Sequence, residues 1–239
     1  MYNSQIFFKL LLIILTTVSL PAQAQSRLGI TENSLSEEIV FQESFEPPGD
    51  PEPKDTKGSG SRDGNKCSTN EQKIKALMPK RNYGLTFQKL PKIFIRLPQT
   101  KAKQIMLSFR SEDGKYYQRA FLPITERGIV SFNLPQEKPS LSIGKNYQWS
   151  LVVVCGDTIQ PDDPTFQGWV QRVEKTSQID RELAGKTAIA LPMPQRHIAK
   201  AKWYASRGYW YEMLSEIEEA RKNEPENLQL NDAVKKFGG

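Results

Sequence analysis

A nucleophilic hydrolase needs a base beside its nucleophile, and this chain of 239 residues holds a single histidine, His197. His197 follows the breaks at Pro192 and Pro194, at the head of a predicted helix, and reads as a surface or capping residue. The sequence contains no Gly-x-Ser-x-Gly elbow, no phosphate-cradling glycine loop with lysine and no His-Glu-x-x-His helix. Carboxylates are harder to set aside, because glycoside hydrolysis needs only two acids at a set separation. Asp157, Asp162, Asp163 and Glu212 are the candidates, the first three in a Pro-rich loop where acids are ordinarily just solvated. The expectation is a non-catalytic protein without cofactor or metal; a carboxylate-dependent hydrolase is the alternative these acids leave open.

Two cysteines, Cys67 and Cys155, form an even count that in an oxidising compartment reads as one bridge. The other reading leaves Cys155 as a buried thiol in a strand and Cys67 exposed in a loop. Two isolated cysteines and one distant histidine lack the spacing of zinc ligands. Five aromatic residues, Trp203, Tyr204, Tyr209, Trp210 and Tyr211, crowd the last third of the chain. They admit three roles: a face that binds an unidentified protein, a platform for envelope polysaccharide flanked by Gln195, Arg196 and Arg207, or core between two parts of the fold. Neighbours on a helix point about 100 degrees apart, so only some of these rings can be buried on one face. Either binding role needs an accessible ring at Tyr209 or Tyr211; the core role needs none.

The elements that must position these residues begin after an N-terminal leader. Lys9 is the only charge before Arg27, Leu10 to Leu20 is an apolar run, and Ala22-Gln23-Ala24 offers the small-x-small pattern cut by signal peptidase. Cleavage before Gln25 is expected. A spanning helix needs roughly 20 apolar residues, and this run stops at Pro21. No transmembrane segment is therefore expected after cleavage, and no lipid anchor, since the first cysteine is Cys67. Losing residues 1–24 removes one lysine from a net charge of +6. The remaining positive excess is spread among acids, which argues against nucleic-acid binding. The product is expected in the periplasm, the cell envelope or outside the cell.

Residues 25–66 read as a disordered linker, with Pro47, Pro48, Pro51, Pro53 and several glycines among charges and serines. From residue 67 to 175 the pattern becomes short apolar or alternating runs between turns, as in an all-β sandwich. Strands are predicted over Ile93–Leu97, Ile105–Arg110, Tyr116–Pro123, Gly128–Leu134, Tyr147–Cys155 and Gly168–Val173, with Glu112 to Lys115 as a hairpin turn. Ile105, Leu107 and Phe109 fall on one face, Met106, Ser108 and Arg110 on the other. Leu141, Gly144, Tyr147, Trp149 and Leu151 match the tyrosine corner of immunoglobulin-like and fibronectin-like sandwiches, with the Tyr147 hydroxyl tying the corner. Residues 176–239 change to helical period: a short helix over 177–185, two helices within 195–223 split at Arg207-Gly208, and a third over 228–237. Tyr204, Gly208, Trp210, Ile217, Ala220 and Pro225 follow the helical-hairpin spacing of a single tetratricopeptide unit. A lone unit cannot stack into a solenoid, so it is expected as a cap on the sandwich.

Taken with the leader and linker, Leu85-Thr86-Phe87, Pro91 to Pro98, Leu141 to Cys155, Gly168 to Arg172 and Gly208 to Glu212 resemble a cyanobacterial domain of unknown function, the family numbered 928. The resemblance covers about Cys67 to Phe237 and implies an exported protein without implying an activity. The reading is thus a mainly β protein with α, an immunoglobulin- or fibronectin-like sandwich followed by a helical hairpin. It is expected to act as a periplasmic or envelope interaction module, with polysaccharide binding as the alternative.

Overall fold

The structure is a computed structural model that describes residues 39, 66–69, 72–187, 191–227 and 230–231. The leader and nearly all of the linker lie outside the described residues, as does the helix expected over 228–237 apart from Leu230 and Asn231. All described residues belong to one compact unit, Leu35–Gly239.

Alternation along the chain decides the β architecture. Ile105, Leu107 and Phe109 bury one face of their strand almost completely, and the same parity recurs in Tyr147, Trp149, Leu151 and Val153 across the ladder. The strands are β1 (Lys75–Ala76), β2 (Tyr83–Thr86), β3 (Ile93–Leu97), β4 (Gln104–Ser111), β5 (Tyr117–Pro123), β6 (Gly128–Phe132), β7 (Asn146–Val154) and β8 (Thr165–Arg172). They form a three-stranded sheet in the order β1-β3-β6 and a five-stranded sheet in the order β2-β8-β7-β4-β5. All pairings are antiparallel except β2 with β8. Inward residues of both sheets share one core with Leu134 and Leu141, so the chain is mainly β, a two-sheet sandwich followed by helices.

Two turns follow the chemistry of their residues. Gly114 takes a left-handed φ of 71° in the β4–β5 hairpin. There Asp113 accepts hydrogen bonds from Ser111 Oγ (2.5 Å) and Lys115 N (3.0 Å), which hold its carboxyl down at about 2. At the tyrosine corner the backbone N–H of Ser142 donates to Tyr147 Oη at 2.9 Å, and the Tyr116 ring stands edge-on to Tyr147 at 5.1 Å. Tyr147→Phe keeps the ring and removes that acceptor. The expected loss is about 1 kcal/mol, the net worth of one hydrogen bond, read as a lower urea midpoint; an unchanged midpoint would mean the corner is held by packing alone.

The helices are α1 (Ser177–Thr187), α2 (Met193–Ala205) and α3 (Trp210–Asn223). Pro194 sits in the first turn of α2, where its missing N–H costs nothing, and Gly208 at φ 77° turns the chain into α3. The carbonyl of that glycine accepts from Leu85 N at 3.1 Å, tying the inter-helix turn to β2. α3 buries Trp210, Met213, Leu214, Ile217 and Ala220, the stripe expected from helical spacing, and also Tyr211 and Glu212. It is sunk against both sheets. Trp210 Nε1 donates to the Leu77 carbonyl (3.2 Å), while Glu218 accepts from Lys92 (2.9 Å) and from Ser131 of β6 (3.0 Å). Gly84 of β2 permits this approach, since a Cβ there would lie 2.7 Å from Trp210 Cβ. His197 does not cap α2: its Nδ1 lies 2.6 Å from Glu216 Oε2, joining α2 to α3, and α2 has no side-chain cap.

Candidate functional site

The five helical aromatics do not form an exposed face. Trp203, Tyr204, Tyr209, Trp210 and Tyr211 are 3%, 7%, 9%, 2% and 3% exposed, so the accessible ring that a binding role requires is missing at both Tyr209 and Tyr211. The physical reason is that the helices meet the sandwich on more than one side. Trp203 stacks parallel on Tyr209 at 5.9 Å, and Tyr209 lies 4.3 Å from Phe87, beyond the end of β2. Tyr211 Oη accepts from Trp149 Nε1 (2.8 Å) and donates to the Trp169 carbonyl (2.9 Å), linking α3 to β7 and β8. Two of the three flanking groups are engaged as well. Arg207 lies over the Trp203 ring at 4.2 Å and pairs with Glu182, and Arg196 donates to the Leu191 carbonyl. Gln195 holds its Oε1 buried without a hydrogen-bond partner.

The candidate carboxylates fall into two groups. Asp162 and Asp163 both meet Lys66, the second at 3.2 Å, and Asp163 also accepts from Gln160 N at 2.9 Å. Asp157 is exposed in the same β7–β8 loop. Glu212 instead meets the end of β2, where Thr86 pairs with Arg172, the last residue of β8. Its Oε1 accepts from Thr86 Oγ1 (2.8 Å) and Phe87 N (2.7 Å). Seven strand steps from Thr165 to Arg172 separate the two groups by roughly 23 Å, beyond the window of about 5 to 9.5 Å for a glycosidase pair. Glu212 therefore does not pair with any of the three loop acids in the way a glycosidase needs. Glu212 is nonetheless unusual: its Oε2 is buried without a hydrogen-bond partner, and burial pushes its carboxyl up to about 7 against the bonds from Phe87 and Thr86.

The cysteines do come together. Cys67 and Cys155 form a disulfide with Cα atoms 5.4 Å apart. It fastens the segment before β1 to the residue after β7, beside the Lys66 contacts with Asp162 and Asp163.

The exposed aromatic surface lies elsewhere, on the outer face of the five-stranded sheet. Ala120 pairs with Leu107 and Leu122 with Ile105, so this parity of β5 faces the core. Tyr117, Arg119 and Phe121 consequently face out, and Tyr117 and Phe121 are each 50% exposed. Register extends the face inward: Tyr117 pairs with Arg110 and Arg110 with Gln148, while Arg119 pairs with Ser108 and Ser108 with Ser150. The β strand period puts Tyr117 and Phe121 about 13 Å apart along the strand. β5 is the edge strand of this sheet among the described residues. Sequence reasoning placed the strand but not this face. The available signal was Tyr117, Arg119 and Phe121 sharing one parity, because a core-facing parity does not ordinarily include an arginine.

A family model, Domain of Unknown Function (DUF928), matches residues 57–237. Among solved structures, the chain is similar to the fn3 domain of the human collagen alpha-1(XX) chain at 12% identity and a TM-score of 0.29, covering 38% of this chain and 76% of that one. No curated protein matches the chain.

Proposed function

The chain belongs to the DUF928 family, and from that premise we propose that it is a non-catalytic interaction module of the periplasm or cell envelope. The sandwich and its inset helices supply a rigid frame, and the outer face of β5 supplies the contact. One observation carries this reading: Tyr117 and Phe121, each half exposed, flank Arg119 on one face of the edge strand β5, and aromatic residues and arginine are enriched in contact surfaces relative to the rest of a protein's surface. Export is supported by the leader pattern of residues 1–24 and by the Cys67–Cys155 bridge, of a kind that persists in oxidising compartments. No helix among the described residues is long and apolar enough to cross a membrane.

The test is affinity capture from envelope extract with the parent protein and with Tyr117→Ala/Phe121→Ala, both checked for folding by circular dichroism. A component retained by the parent should be lost by the folded variant. Equal retention by both proteins would remove the β5 face from function. For export, the protein from its source cells should appear outside the cytoplasm with a mass that starts at Gln25.

A further inference from the structure

Resting on that reading, we propose that the ligand of the β5 face is an acidic polysaccharide, stacked on Tyr117 and Phe121 and held through its anionic groups by Arg119 and Arg110. The arginines are diagonal neighbours, Arg119 opposite Ser108 and Arg110 two residues further along β4, a relation that brings Cβ atoms within about 7 to 8 Å. Both are exposed and neither makes a salt bridge among the described residues. Two guanidinium groups set side by side without a carboxylate repel one another; the charge that completes them is an anion from outside, and Arg offers a planar fork that matches a carboxylate or sulfate. The nearest acids in sequence, Glu112 and Asp113 of the hairpin, are engaged with Asn146 and with Ser111, Lys115 and Lys145.

The rest of the face suits a sugar chain better than a protein or a nucleic acid. Its centre is an arginine flanked by amides and hydroxyls such as Gln148 and Ser150, whereas the fully buried centre of a protein interface is more apolar than the surface around it. A nucleic acid presents a phosphate at every nucleotide, and its binders neutralise many of them, roughly 6 to 10 in a typical duplex complex; here two cations serve one short row. Flat apolar ring faces with a polar tip at Tyr117 match the alternating C–H and hydroxyl surfaces of pyranose rings.

Affinity electrophoresis tests this with gels containing polygalacturonate, dextran sulfate, neutral dextran or a single-stranded oligodeoxynucleotide, at about physiological ionic strength, where the Debye length is about 8 Å. The parent should be retarded by a carboxylated or a sulfated polymer, the pair of gels telling which anion is preferred, and not by neutral dextran. Arg110→Gln/Arg119→Gln and Tyr117→Ala/Phe121→Ala should each weaken that retardation about tenfold, as expected for losing charge-assisted bonds or stacked rings. Met193→Ala, which removes an exposed apolar residue from α2, should not. Retardation by neither acidic polymer, equal retardation by neutral dextran, or stronger retardation by the oligodeoxynucleotide would each overturn the assignment. If neither acidic polymer binds while envelope capture still depends on Tyr117 and Phe121, the ligand class is wrong and the interaction module stands; if capture is indifferent to them, the module reading fails first.

Discussion

Replacing both Cys67 and Cys155 by serine is expected to lower the unfolding free energy by about 4 to 5 kcal/mol. The bridge closes a loop across a sequence separation of 88 residues, and the chain-entropy model assigns a loop of that length a stabilisation of this size, acting mainly by restricting the unfolded chain. Native domains have about 5 to 15 kcal/mol to lose, so roughly a quarter or more of the total stability is at stake. Other ties of the segment are Lys66, which pairs with exposed Asp162, where an ion pair contributes little, and with buried Asp163, and Thr69 N and Lys101 N, which close short backbone bonds to the Gln99 and Cys67 carbonyls. Guanidinium titrations of the parent, the double serine variant and the parent with reductant provide the measurement. Reductant should bring the parent to the variant's midpoint. A variant within about 1 kcal/mol of the parent would show that those backbone bonds and the core fix the segment without the bridge.

Much of the sandwich was legible because its signals are local. Ile105, Leu107 and Phe109 alternate within one strand, Gly114 follows Asp113 at a turn, and the Tyr147 hydroxyl reaches back five residues to Ser142 N. β2 was not legible. Tyr83-Gly84-Leu85-Thr86 is short, contains a glycine, and becomes a strand through parallel pairing with β8, far away in sequence. The same non-local cause hid the state of the aromatics. Helical spacing points neighbouring rings in different directions, but Tyr209 is the non-helical residue before α3, and a periodicity argument assumes one covered face. α3 has more, because Gly84 lets it sink against β2 while Glu218 reaches Lys92 and Ser131. On β5 the difficulty is parity. Tyr117 and Phe121 are the larger apolar residues, and size alone would turn them inward; the pairing of Ala120 with Leu107 and Leu122 with Ile105 turns them out.

Glu212 is where sequence chemistry and structural position meet most sharply, and its ionisation should make stability depend on pH. Its carboxyl is raised from 4.5 to about 7 by burial in the folded protein. Below pH 4.5 it is protonated in folded and unfolded chains alike and contributes no pH dependence. As pH rises from 4.5 to 7 the unfolded chain releases this proton while the folded chain keeps it, so stability falls through that window. Above 7 both forms are ionised and the penalty levels off at about 3 kcal/mol. Glu212→Gln retains a carbonyl oxygen able to accept from Thr86 Oγ1 and Phe87 N, as Oε1 does, and replaces the unpartnered Oε2 by an uncharged amide. The variant should lie within about 1 kcal/mol of the parent near pH 5 and exceed it by up to about 3 kcal/mol near pH 8, read from urea midpoints at the two pH values. Comparing the two proteins at each pH cancels the titration of groups outside this contact, and the raised values of the neighbouring phenols Tyr204, Tyr209 and Tyr211 keep them neutral throughout the range. Equal pH slopes in parent and variant would mean that Glu212 stays ionised from pH 5 upward, with Oε2 reached by water. A steep fall confined to the parent would instead make α3 an element whose grip on β2 weakens as the carboxyl loses its proton.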